Sequence, residues 1–453
     1  MTVLAALAGG LHLRPARVPA LAGGRTDAAH VAIGRPAAQL PALLGTLHAL
    51  CAHAHRCTAS RAVAAALGRH GEAAAADAQA LRLGTARDQV ARIAIDWPLH
   101  LGTAAQGGSF EPGLRECPLW RNRNVHADAL AALPDWLARH WLGQTPAVWL
   151  AALEADPARA VQAWCERADG PVAALLRRVH EAACAAEARG PAWRPLDDDL
   201  TESSAGPAGA PPEVPSDPSR NRTPNGSPNG SPNGSCDGSR DRSCDGSCDG
   251  SPGSQRARLL ALASRLARRT EPARAGDVVP DTGPWTRARD PLRAPARDAW
   301  TRLVSRLVDL VRLAAPHGEH WLAHGAMNTG PRQGLAWTEM ARGLLVHWVA
   351  LEADGARVAD LRVLAPTDLN FHPRGVLARA LGALPALPAR DARAAARLLA
   401  VAFDPCVVFD IEGEGEADGA GEADVAGAGE ADVEGEVAVG RGIDAERPGA
   451  AHA

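Results

Sequence analysis

Residues 201 to about 255 contain TPNGSPNGSPNGS followed by CDGSRDRSCDGSCDGS. Tandem tetrapeptides of turn-forming residues carry almost no apolar surface, so they cannot offset the entropy lost on ordering. Any fold must therefore be built from two blocks, 1–200 and 256–412, on either side of a flexible low-complexity linker. From 413 to 453 GEAD recurs three times with no basic residue before Arg441. That composition predicts an acidic disordered tail. Linker and tail are both expected to be dispensable for folding.

Within the first block, QLPALLGTLHALCAHAHRCTASRAVAAALG (39–68) and ALAALPDWLARHWL (129–142) place apolar residues at helical spacing. The second block opens with two further helices, SQRARLLALASRLARR and ARDAWTRLVSRLVDLVRLAA. The period then changes. RGLLVHWVALEADGARVADLRVLAP holds two β-type runs around Asp354-Gly355, a hairpin signal. Helices resume in GVLARALGAL and RDARAAARLLAVAF, which runs straight into Asp404-Pro405-Cys406. The class is α+β, predominantly helical.

Charge and cysteine content exclude several functions. Across 453 residues the net charge is −4, and the arginines are dispersed among acids, which leaves no nucleic-acid footprint. No run approaches 18 apolar residues, so no membrane span is expected. The start, MTVLAALAGGLHLRP, lacks a charged segment before its short apolar run and makes a poor signal peptide. Nine cysteines, an odd number, suit a reducing cytoplasm.

The densest ligand cluster is CAHAHRC, Cys51–Cys57. On a helix Cys51 and His55 share a face with His48, and His53 and Cys57 share another; either face can hold a metal, and surface histidines on an alanine-rich helix are the alternative. In HGEHWLAHG, His317, His320 and His324 fall on one helical face, but Trp321 stands where a zinc protease needs its glutamate, and surface or packing histidines are the better reading. Cys236, Cys244 and Cys248 belong to the CDGS repeats, whose spacing repeat expansion explains better than a metal does. Glu339 and Arg342 are spaced for an i, i+3 ion pair. No Gly-rich phosphate loop or G-x-S-x-G elbow is present.

Taken as one string, EMARGLLVHWV, PTDLNF and DPCVVFDIE match in order and spacing three elements of nickel–iron hydrogenase large subunits: E-A-x-R-G-x-L-x-H-W, P-T-x-x-N-F and D-P-C-x-x-C-x-x-H. The stretch IGRPAAQLPALLGTLHALC resembles the large-subunit segment G-R-x-P that leads into R-x-C-G-x-C. The resemblance covers about half of the chain outside linker and tail and implies a large-subunit-like fold. It also has departures. Cys51 and Cys406 fall at the terminal nickel-ligand positions, but Ala54 and Phe409 stand at the bridging ones. Ala49 replaces the arginine of the first motif, the acidic proton-relay position falls near Ala29, and Glu412 replaces the histidine of the C-terminal processing signal.

A two-metal centre cannot be held without bridging thiolates, so the pattern resembles the HupK/HoxV-type hydrogenase expression/formation proteins rather than the enzymes. What this resemblance implies is a non-catalytic scaffold or chaperone for the iron dicyanide carbonyl unit. Cys51 and Cys406 would hold a transient iron, without nickel. Arg342 would bind the cyanides and lower the thiol pKa, and Glu339, His347, Asp404 and Pro405 would support the site. Accessory proteins and the apo large subunit are the implied partners, and no C-terminal cleavage is expected. A metal-free docking protein is the alternative; a catalytic hydrogenase with Cys57 or a histidine as bridge is the remote one.

Overall fold

The first and last strands of the folded chain lie side by side. In the computed structural model, β1 (Gly9–Leu13) pairs antiparallel with β2 (Leu21–Arg25) and parallel with β7 (Val408–Ile411), in the order β2-β1-β7. The structure describes residues 9–196 and 252–413 apart from 28, 70–73, 103–109, 122–125, 272–273, 275 and 293–294. Most of the low-complexity linker and the acidic tail thus lie outside the described residues; the end of the expected linker opens the helix Pro252–Ala267.

The N-terminal block is helical after β2. Its positioning elements are α1 (Leu40–Leu47), α2 (Ala52–Ala66) and α3 (Ala74–Ala91). The second sheet is an antiparallel meander of β3 (His324–Gly330), β4 (Gln333–Met340), β5 (Gly343–Leu351) and β6 (Val358–Leu364). The β5–β6 hairpin turns around Asp354-Gly355, with Val346 opposite Leu364 and Leu351 opposite Val358. β4 and β5 read as near-continuous buried runs because both faces are covered. Leu335, Trp337, Val346 and Trp348 pack against Leu259, Leu262 and Leu266 of the helix Pro252–Ala267. Ala336 and Val349 pack against Ala59, Ala62 and Ala66 of α2. The alanines of α2 let helix and sheet approach closely: a Cβ on Gly334 would lie 2.1 Å from the Ala62 carbonyl oxygen.

Two later helices complete the frame, α4 (Ala299–Ala314) and α5 (Ala389–Phe403). α4 opens on a capping box in which Asp298 accepts from the Thr301 N–H at 2.8 Å. One side of α4 is buried yet charged, with Arg302, Arg306 and Asp309 all essentially inaccessible. Each is paired, as buried charge requires: Arg302 with Asp281, Arg306 with Asp404, and Asp309 with Nε and Nη2 of Arg287 at 2.8 Å each. No described helix is long and apolar enough to cross a membrane.

Two expected arrangements do not form. His317, His320 and His324 do not share a helical face: His317 is in the left-handed region (φ 60°), His320 closes a 3-10 turn and His324 opens β3. Pro316 and Gly318 end the helix before it can reach them. Glu339 and Arg342 do not pair either. Glu339 lies in β4, where alternation sends its carboxylate to the Ala288 and Ala323 N–H groups at 2.9 and 2.8 Å. It satisfies buried backbone and does not line the cavity described next.

Candidate metal-fragment site

Cys51, Cys406 and Arg342 line one cavity of about 210 Å3, together with Arg25, His48, His55, Pro366 and Thr367. Three separate parts of the chain deliver them. Cys51 closes the 3-10 turn Ala49–Cys51 and stands at the N-cap of α2 (φ −134°, ψ 34°). Cys406 follows the end of α5 and precedes β7. Arg342 occupies the tight turn between β4 and β5, where Met340 pairs with Gly343.

That turn is held from all sides. The Ala341 carbonyl accepts from Arg306 Nη1 at 3.1 Å and Gln89 Nε2 at 3.2 Å, and the Met340 carbonyl from Arg287 Nη2 at 2.9 Å. Gly343 has φ +130°, and a Cβ there would sit 2.7 Å from Thr282 Oγ1 and Cγ2, so only glycine fits. The PTDLNF segment contributes at both ends. Thr367 Oγ1 donates to Cys406 Sγ at 3.0 Å and accepts from the Cys406 N–H at 3.3 Å. Asn370 exchanges two 2.9 Å hydrogen bonds with the Thr282 backbone.

Asp404 is the electrostatic hub. Its backbone is left-handed (φ 56°), which aspartate tolerates better than most residues. Its nearly inaccessible carboxylate lies 3.0 Å from Arg92 Nε, 3.0 Å from Arg306 Nη1 and 3.4 Å from Arg342 Nε. Pro405 lines a second cavity beyond Cys406 with Arg92, Trp97, His100 and Phe409.

The Arg342 guanidinium is buried but under-used. Its Nε and Nη1 have no hydrogen-bond partner among the described residues, and neither do Asp88 Oδ2 and His53 Nε2 beside it. Arg342 Nη1 and His53 Nε2 each lie 3.9 Å from Asp88 Oδ2. Buried polar atoms left open in this way call for a partner such as water or an ion. Arginine does not shift Cys51 as expected: burial outweighs the nearby guanidinium and pushes the thiol up to about 12. Cys51 is therefore a protonated thiol at neutral pH, and a metal bound there would have to displace the proton.

Three further histidines form a neutral cluster. His48 and His55 rings stack at 4.0 Å, and His347 Nε2 lies 3.1 Å from His55 Nδ1. Burial lowers all three, His48 to about 4 and His347 to about 3. His48 and His55 line the thiol cavity, and His347 reaches it only through His55. Cys57 points elsewhere and accepts from Arg61 Nε at 3.3 Å.

Asp88 and Arg25 escaped sequence reading, since a lone charge on a helix or beside Gly-Gly has no local signature. Burial, followed by the opposing pull of Arg342 and the push of Asp404, raises Asp88 to about 7. The folded protein then keeps a proton that the unfolded chain releases near its ordinary value of 3.8. This contribution favours folding at low pH and decays as pH rises from about 4 through 7. Asp88→Asn removes it. The stability of the variant relative to wild type should rise by about 2–3 kcal/mol between pH 5 and pH 8. Urea unfolding at the two pH values measures this, and a pH-independent difference would refute the assignment.

Over 434 residues the chain is 32% identical to the hydrogenase expression/formation protein HoxV of Cupriavidus necator, covering 91% of this chain and 97% of that protein. The chain belongs to the hydrogenase expression/formation proteins. Shorter matches to the family are 35% identity over 141 residues with HupK of Bradyrhizobium diazoefficiens (30% of this chain, 39% of the relative) and 36% over 136 residues with HupV of Azotobacter chroococcum (29% and 37%). No protein-family model matches. Among solved structures, an NAD+-reducing nickel–iron hydrogenase in the H2-reduced state aligns at 14% identity with a TM-score of 0.46, over 85% of this chain and 92% of that one.

Proposed function

We propose that this expression/formation protein is a non-catalytic maturation scaffold that holds an iron dicyanide carbonyl fragment as cargo before its delivery to a hydrogenase large subunit. The observation that carries the reading is the pairing, in one cavity, of two cysteine thiols with a buried guanidinium whose Nε and Nη1 have no hydrogen-bond partner among the described residues. Thiolates are soft donors suited to low-spin iron. The guanidinium is a fixed fork of donors suited to the nitrogen ends of bound cyanides. Ala54 and Phe409 supply no bridging thiolate for a second metal, so the cargo contains iron without nickel and remains releasable.

Anaerobic purification from cells that make hydrogenase, followed by iron analysis and infrared spectroscopy of bound cyanide and carbonyl, tests the reading. Iron-free protein without those bands would overturn it. Arg342→Lys keeps the charge but loses the fork, so iron retention should fall about 10–100-fold, as for other groups that contact a metal's ligands. The far-UV spectrum should be unchanged. Full retention in the lysine variant would remove Arg342 from the site.

A specific observation favours a second reading. Leu47, Leu50, Leu99 and Val408 are exposed and line this cavity or its neighbour. Exposed apolar side chains around a cavity suit a docking face for hydrogenase assembly partners, with or without cargo.

A further inference from the structure

The three histidines of HGEHWLAHG take no part in the thiol cavity, yet the fold sorts them in an informative way. β3 carries His324 away, and its Nδ1 faces the Leu322 carbonyl at 3.1 Å. His317 and His320 stay together on the turn after α4, with Glu319 between them.

The imidazoles are exposed and their rings lie at an interplanar angle of 25°, 6.3 Å apart. Glu319 Oε1 is 3.7 Å from His317 Nδ1 and 3.7 Å from His320 Nε2, and all three donor atoms lie within 4.8 Å of one another. Two donors bound to one tetrahedral ion at 2.0–2.1 Å are about 3.4 Å apart. The donor atoms already stand within a few tenths of an ångström of that spacing along both glutamate edges.

The carboxylate is also aimed. Its other oxygen, Oε2, accepts from Arg82 Nη1 at 2.8 Å. Arg82 is buried and fixed to the turn through Nε to the Leu313 carbonyl at 2.7 Å and Nη2 to the Ala315 carbonyl at 2.9 Å. An outer partner of this kind orients a metal-binding carboxylate before the ion arrives. His317 sits in the left-handed region (φ 60°), and a Cβ on Gly318 would meet the Leu313 carbonyl oxygen at 2.4 Å. The backbone is thus bent back against α4, and the bend turns both rings to one side of Glu319.

We propose that His317, Glu319 and His320 form a second, surface site for a borderline divalent transition ion of the zinc and nickel class. Two imidazoles and one carboxylate are the donors such ions prefer over the harder magnesium or calcium. Three protein ligands leave positions open to water or to a donor from a partner.

The test must exclude thiols, which also take zinc. Full-length protein, with its accessible cysteines alkylated under native conditions, is titrated calorimetrically with zinc chloride. The alkylated wild type should bind one ion that the alkylated His317→Ala/His320→Ala variant lacks. Glu319→Gln, which can still accept from Arg82 and leave the turn intact, should weaken binding by about tenfold or more. His324→Ala should bind as wild type does. A zinc-induced rise in the thermal midpoint, present in wild type and absent in the double variant, gives an independent readout. Equal zinc binding by wild type and the double variant, or loss of binding in His324→Ala alone, would overturn the site.

Discussion

Serine at position 51 or at position 406 is expected to strip the iron from the protein and to stop it supporting hydrogenase maturation, each substitution by itself. The two thiols come from opposite ends of the folded chain and meet at one cavity, so on the proposed reading each would act as half of a chelate. Loss of one leaves a single-point attachment, and the second sulfur no longer acts at high effective concentration. Changes in outer-shell partners alone cost about 10–100-fold in metal affinity; removal of a ligand should exceed that. Cys184→Ser is the control, since Cys184 is half-buried beside His180 and does not line the cavity.

The same pair should make loading depend on pH. Burial holds the Cys51 thiol near 12, so iron must displace its proton. Apparent affinity should therefore rise with pH, by about tenfold per unit for each proton released. Metal analysis of the three variants, with a maturation assay in the producing cells, measures the outcome. If both serine variants lost iron but still supported maturation, the docking face around Leu50 and Val408 would become the functional element. If both kept their iron, the cargo reading would fail.

Much of the frame was legible because local pattern and global packing agree. The β5–β6 hairpin follows from two β-type runs around Asp354-Gly355, and α4 and α5 follow from strong helical periodicity. β1 and β2 were not legible: GGLHL and LAGGR are short and glycine-rich, and β1 is completed by β7, a partner almost 400 residues away. β4 was hidden because QGLAWTEM is buried on both faces and shows no alternation. The site divides similarly. Cys51, Cys406 and Arg342 were readable through the three motifs they belong to. Asp88 and Arg25 are single charges whose meaning depends on what the fold sets beside them. Glu339 was misplaced because helical spacing was read into a strand. The thiol shift was misjudged because proximity to arginine is visible in a motif, whereas the desolvation that opposes it appears only with burial.

Asp404→Asn should be among the most destabilising conservative substitutions in the molecule. Asparagine keeps the size and tolerates the left-handed backbone, so the loss isolates the charge. That charge faces Arg92, Arg306 and Arg342, the last two almost wholly inaccessible. Without the carboxylate, Arg306 has two backbone carbonyls nearby and the next carboxylate, Asp309, is already held by Arg287 and Gln89. Removing one partner from a buried ion pair typically costs about 3–5 kcal/mol, because the remaining charge stays desolvated and uncompensated. Asp410→Asn is the matched control six residues on. Its partner His12 is exposed, as Asp410 itself is, and solvent screens such a pair to within about 1 kcal/mol. Urea unfolding at neutral pH compares the two. A loss for Asp404→Asn no larger than for Asp410→Asn would mean that the arginines find compensation the geometry does not show. The expected difference also has a functional side: Arg342 is placed partly by Asp404, so the Asp404 variant should retain less iron even under conditions in which it remains folded.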